Sequence, residues 1–92
     1  MSITSADIQK ALRIKRVLTE YFKNSGQLKV MAKDLMTLFI ANDVFTKDHK
    51  EGLPIRDFLR HLDENNHSHL IPQIHFEQKE KNKNWYFIKS DK

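Results

Sequence analysis

Apolar residues recur every three or four positions in three stretches of this chain before residue 65, and alternate with polar ones after residue 73. Helices first and strands last is what that change of period dictates. In the first stretch Ile8, Ala11, Leu12, Val17, Leu18, Tyr21 and Phe22 stand at helical spacing, with Lys10, Arg13, Lys15, Arg16 and Lys23 on the remaining arc. Thr4 or Ser5 is placed to cap this helix, Asp7 falls in its first turn, and Asn24-Ser25-Gly26 ends it. Gln27 to Val30 reads as a short extended piece with Leu28 and Val30 on one side. A second helix is predicted over Ala32–Asn42. There Leu35, Met36, Leu38, Phe39 and Ile40 cover more than half the circumference, which makes it the most buried of the helices.

Asp43 to Gly52 is a polar connection from which Val44 and Phe45 turn back to the core. Pro54 suits the first turn of a third helix, whose Ile55, Phe58, Leu59 and Leu62 form an amphipathic stripe. After a polar break from Glu64 to His69, Ile74 and Phe76 alternate with Gln73, His75 and Glu77 as a strand. Trp85-Tyr86-Phe87-Ile88 is its partner, with Trp85 and Phe87 facing one way and Tyr86 and Ile88 the other. Lys79 to Asn84 is the turn between them. A lone hairpin is marginal in water, so its apolar face is expected on the helices. The fold class that follows is α+β: a three-helix core with a short strand and a C-terminal β-hairpin.

Ninety-two residues suffice for one core, so a single domain over 1–92 is expected, with 1–4 and 90–92 too polar and short to pack. The chain has no cysteine, which removes disulfides and thiolate metal sites and leaves packing to hold the fold. Its longest apolar stretch, Leu35 to Ala41, is interrupted by Thr37 and falls far short of the ~20 residues that cross a bilayer. The first residues enter an amphipathic pattern without a continuous apolar run, so neither a secretory signal nor a membrane partner is expected and the cytoplasm is the default location.

The net charge of +4 is unevenly spread. Residues 1–33 carry seven Lys/Arg against Asp7 and Glu20, residues 34–78 four against eight carboxylates, and residues 79–92 five against Glu80 and Asp91. Basic ends around an acidic middle predict a polarised surface once the ends fold together.

The hairpin turn is the sharpest candidate site. Lys79, Lys81 and Lys83 can reach phosphates, and Asn82 and Asn84 can reach sugars or base edges. Polar residues also keep a hairpin tip soluble, so the pattern serves either purpose. Arg56, Arg60 and His61 on the third helix come next, with Lys10, Arg13 and Arg16 on the first. His67 and His69 would face one side of an extended segment near Asp63, but the spacing matches no zinc pattern and no metal site is predicted. No serine sits in a Gly-flanked elbow, and Gly26 and Gly52 are the only glycines, so no phosphate loop is available. Neither catalysis, a cofactor nor a small-molecule substrate is expected.

Helix, short strand, helix, helix, strand, basic turn, strand is an element order that resembles the winged helix-turn-helix superfamily. Ile8–Phe22 would be its first helix, Leu28–Val30 its small strand and Ala32–Asn42 its second helix. Leu53–Glu64 would be the recognition helix and Gln73–Ile88 the wing. The resemblance implies duplex DNA as partner, with the third helix in the major groove and the wing on the backbone or in the minor groove. Two departures shift the expected contacts. The Asp43–Gly52 connection is longer than the usual tight turn, and Asp57, Asp63 and Glu64 leave the third helix slightly acidic. The basic first helix and wing would therefore carry more of the contact. The alternative is a protein-interaction module on the same fold, binding a partner through the acidic middle or a second copy of itself through the first helix. An apolar stripe on that helix broader than the core needs would favour it.

Overall fold

The computed structural model describes residues 3–48, 52–78, 80 and 83–89. Three helices, α1 (Ser5–Ser25), α2 (Met36–Ala41) and α3 (Leu53–Glu64), pack on a sheet of β1 (Lys29–Met31), β2 (Ile74–Gln78) and β3 (Lys83–Ile88). Short 3-10 turns at Ala32–Leu35 and Ser68–Leu70 lead into α2 and β2. The chain is thus α+β, with a three-stranded antiparallel sheet ending in a C-terminal hairpin, an arrangement compatible with a winged helix.

α1 starts at a reciprocal cap. The Asp7 N–H donates to Thr4 Oγ1 and the Thr4 N–H to Asp7 Oδ2, each at 3.1 Å. Ile3 packs against the core beside this cap. The bond from the Thr4 N–H holds the Asp7 carboxyl below its ordinary value; burial opposes this, and the His61 side chain adds to it. His61 Nε2 on α3 lies 3.1 Å from Asp7 Oδ2, so the same carboxylate ties the two helices together. A carboxyl lowered in the folded state stabilises fully above its unfolded value and loses that contribution as the pH falls through the folded one. Asp7→Asn should therefore be less stable than the parent at neutral pH, and the deficit should shrink as the pH drops below 3.8. Urea unfolding of both proteins across that range reads it; a deficit independent of pH would dismiss the carboxylate's charge as its source.

α1 buries Ala11, Ile14, Val17, Leu18 and Phe22. Two members of the expected stripe, Ile8 and Leu12, remain 37 % and 48 % exposed, and Ile14, absent from it, is fully buried. The buried arc keeps Ala11, Val17, Leu18 and Phe22 of the predicted stripe, adds Ile14 and leaves Ile8 and Leu12 outside. Gly26, at φ 74°, ends the helix.

The predicted helix Ala32–Asn42 begins instead as a 3-10 turn and becomes α-helical at Met36. A three-residue period stacks i over i+3, and here it buries Ala32 and Leu35 together directly after β1. β1 itself pairs from Lys29, one residue later than expected, and Leu28 is left 70 % exposed. Beyond α2, Val44 is buried and Phe45 packs against the core, as the sequence predicts. α3 buries Ile55, Phe58, Leu59 and Leu62, the four residues of its stripe.

β3 is the central strand, in the order β1-β3-β2. Val30 and Ile74 both pair with Phe87, and Phe76 pairs with Trp85, so one face of all three strands is turned to the helices. Trp85 and Phe87 are buried there. Phe76 stays 39 % exposed, with the Trp85 ring centre 5.3 Å away. Gln73 is the one buried polar side chain among the described residues. Its Nε2 donates to Thr19 Oγ1 at 3.3 Å, and its Oε1 has no partner among them.

Candidate nucleic-acid interface

Arg56, Arg60 and Glu64 stand at i, i+4 and i+8 on α3, opposite the arc that carries Ile55, Phe58, Leu59 and Leu62. On the sheet, Lys83 shares a face with Trp85 and Phe87 by alternation, and pairs with Gln78 of β2. Folding brings these two rows together. Arg56, Arg60 and Glu64 form one wall of a cleft of about 520 Å³, and Gln78, Lys83, Asn84 and Trp85 the other. Four residues singled out in the sequence thus converge between α3 and the hairpin.

The cations of this cleft are held in place. Arg60 Nη1 lies 3.5 Å from Asp57 Oδ1, one turn back on the same helix, with both side chains more than half exposed. Lys83 Nζ lies 3.3 Å from Asp63 Oδ2, 4.5 Å from the centre of the Phe76 ring and 5.6 Å from that of Trp85. Exposed pairs of this kind contribute about 0–1 kcal/mol, so an incoming anion can take over the cation at little cost. The Arg56 Nε–H donates to the Gly52 carbonyl at 3.4 Å.

Lys83 and Asn84 were expected in the turn; both belong to β3. The ladder continues past Trp85, because Asn84 and Lys83 still find cross-strand partners in Glu77 and Gln78. Lys79, Lys81 and Asn82 lie outside the described residues.

The first-helix candidates sit elsewhere. Lys10 Nζ lies 5.0 Å above the Phe45 ring and 5.6 Å above the Phe58 ring. Arg13 Nη1 donates to the Asp43 carbonyl at 3.2 Å. Arg16 lines depressions on the α1 surface. α3 meets α1 through Phe58 and His61 and meets the hairpin through Asp63, so the α1 cations lie on the opposite flank of α3 from the cleft. Among the described residues the cations of α1 and those of the cleft thus do not share one face.

Sequence reasoning missed Glu64 and Gln78 as cleft residues. The signal was available: Glu64 extends the Arg56–Arg60 spacing by one turn, and Gln78 is the position across from Lys83 once the register is known. On the outer face of the sheet, Tyr86 donates its hydroxyl to Glu77, and that bond raises its ionisation above the ordinary tyrosine value. Lys29 Nζ lies 4.2 Å above the same ring. The His67 and His69 rings stack at 5.8 Å, and the His67 Nδ1–H donates to the Asn65 carbonyl at 2.6 Å. Among the described residues no three His, Asp or Glu side chains converge as metal ligands, and no helix is long and apolar enough to cross a membrane. No protein-family model matches the chain, and no curated protein or solved structure matches it significantly.

Proposed function

We propose that this is a non-catalytic, winged-helix-like module that binds duplex DNA in the cleft between α3 and the β2–β3 hairpin. The observation that carries the reading is the convergence of Arg56 and Arg60 with Lys83 and Asn84 on one open, polar cleft. α3 would lie along the major groove, and the hairpin would rest on the neighbouring backbone. Guanidinium groups on the helix can take bidentate contacts, while Lys83 acts as a point charge for a phosphate. The same reading puts the domain in the cytoplasm.

Three carboxylates, Asp57, Asp63 and Glu64, stand beside these cations, and their charge sets the strength of binding. Arg56, Arg60, Lys83 and the turn lysines would neutralise ~3–4 phosphates, and the logarithm of affinity should fall against the logarithm of salt with a slope of roughly −3 to −4. Lys83→Gln and Arg60→Gln should each flatten that slope by about one unit. Asp63→Asn should act in the other direction and tighten binding, because it releases Lys83 from its carboxylate. Fluorescence anisotropy with a random duplex at several salt concentrations measures all three. An absence of binding at low salt, or a slope indifferent to Lys83 and Arg60, would refute the cleft as a nucleic-acid site.

A further inference from the structure

A second depression, of about 700 Å³, runs along the other side of the molecule between the C-terminal half of α1 and α2. Val17, Tyr21 and Leu38 give it an apolar floor, and Arg16 and Glu20 stand on its α1 wall. Among the described residues neither the Arg16 nor the Glu20 side chain makes a hydrogen bond or ion pair. Arg16 also borders a separate, smaller hollow with Gln9, Leu12 and Arg13. Leu12 and Ile8, 48 % and 37 % exposed, are apolar surface that the domain's own core leaves uncovered.

The charge pattern selects the occupant. Arg16 and Glu20 are one helical turn apart, roughly 6 Å along the axis, with opposite sign. A uniformly acidic partner would meet Glu20, and a uniformly basic one would meet Arg16. An antiparallel copy of the same helix meets neither conflict: a two-fold axis between the two positions lays each guanidinium on the other copy's carboxylate. We infer that two copies of this chain associate through α1 and α2, with Tyr21 and Leu38 at the seam and reciprocal Arg16–Glu20 pairs at its edge. With the two-fold between Arg16 and Glu20, α1 overlaps its copy over residues 11–25, roughly 21 Å at 1.5 Å per residue. The inference does not depend on DNA binding, because the groove and the α3–hairpin cleft share no lining residue.

Sedimentation equilibrium of the whole chain without DNA tests it through a charge swap. The parent should show a concentration-dependent monomer–dimer equilibrium. Arg16→Glu and Glu20→Arg each place like charges together at two symmetric positions, and each should weaken association about tenfold or more. The double variant Arg16→Glu/Glu20→Arg restores opposite charge and should return to within about threefold of the parent. Both positions are exposed on α1, so the variants should keep the parent's melting temperature, which a circular dichroism scan verifies. A parent that stays monomeric to ~1 mM, single variants that associate as the parent does, or a double variant no tighter than the singles would each overturn the proposal.

Discussion

Gly52→Ala is expected to cost about 2–5 kcal/mol, a large share of the stability of a domain this size. Gly52 precedes α3 with φ 90°, a left-handed conformation that costs a residue with a Cβ about 1–2 kcal/mol. Space is the larger problem. A Cβ built there would stand 2.4 Å from Lys33 Cβ and 2.7 Å from Lys33 Cα, so the start of α3 and the turn before α2 would have to separate. The Gly52 N–H also donates to Asp48 Oδ1 at 2.8 Å, and its carbonyl accepts the Arg56 N–H at 3.1 Å. Displacing this residue would loosen the first turn of α3, which carries Arg56. Gly26 provides the comparison. Its φ is 74° and nothing lies within 4 Å of the position its Cβ would take, so Gly26→Ala should cost only ~1–2 kcal/mol. Thermal melts of the two variants separate backbone strain from close approach. Equal losses would mean that the contact with Lys33 yields without cost.

Phe39→Ala should cost about 3–5 kcal/mol. The ring is fully buried and meets the Phe87 ring edge-on at 5.9 Å and the Phe45 ring at 6.2 Å. It therefore joins α2 to the central strand and to the segment that follows α2. The same residue's carbonyl accepts the Val44 N–H at 2.9 Å, which turns that segment back towards the core. Phe45 is only partly buried and carries Lys10 over its outer side, so Phe45→Ala should cost less, about 1–2 kcal/mol. Urea unfolding of both variants gives the two values on one scale. If Phe45→Ala proved the costlier, the centre of the core would lie in the connection and not beneath the sheet.

The elements that could be read from the sequence are those whose apolar period has one solution. The stripe of α3 contains four residues on a narrow arc and no apolar residue elsewhere after Leu53, so the buried face was fixed. The hairpin was legible for the same reason, because alternation leaves Trp85 and Phe87 no choice but a common side. α1 was ambiguous. Its apolar residues span a wider arc than one core contact can cover, and periodicity cannot say which edge is left outside. The 3-10 start before α2 was hidden because Ala32 and Leu35 satisfy helical spacing as well as a three-residue period.

The candidate site was legible as residue types and illegible as a place. Arg56 and Arg60 lie a helical turn apart in any helix, but their approach to Lys83 depends on how the hairpin docks. Lys10 and Arg13 look like free cations in the sequence; the ring of Phe45 and the carbonyl of Asp43 that occupy them come from a segment thirty or more residues away. The length and sign of a charged stretch say which ligands a surface can attract. They do not say which of its charges an internal partner has already engaged.

The placement of β3 at the centre of the sheet has a consequence for the order of assembly. β2 reaches it across a short connection, whereas β1 must find it from the far side of the sequence, with Lys29 opposite Ile88. Closing that long loop costs more chain entropy and is repaid by only three pairs of residues. The helices and the hairpin can therefore be in place before β1 docks, and β1 is expected to be the last strand to join and the first to leave. Transient opening of the domain would begin there. It would expose an edge of β3 while the cleft between α3 and the hairpin stayed intact.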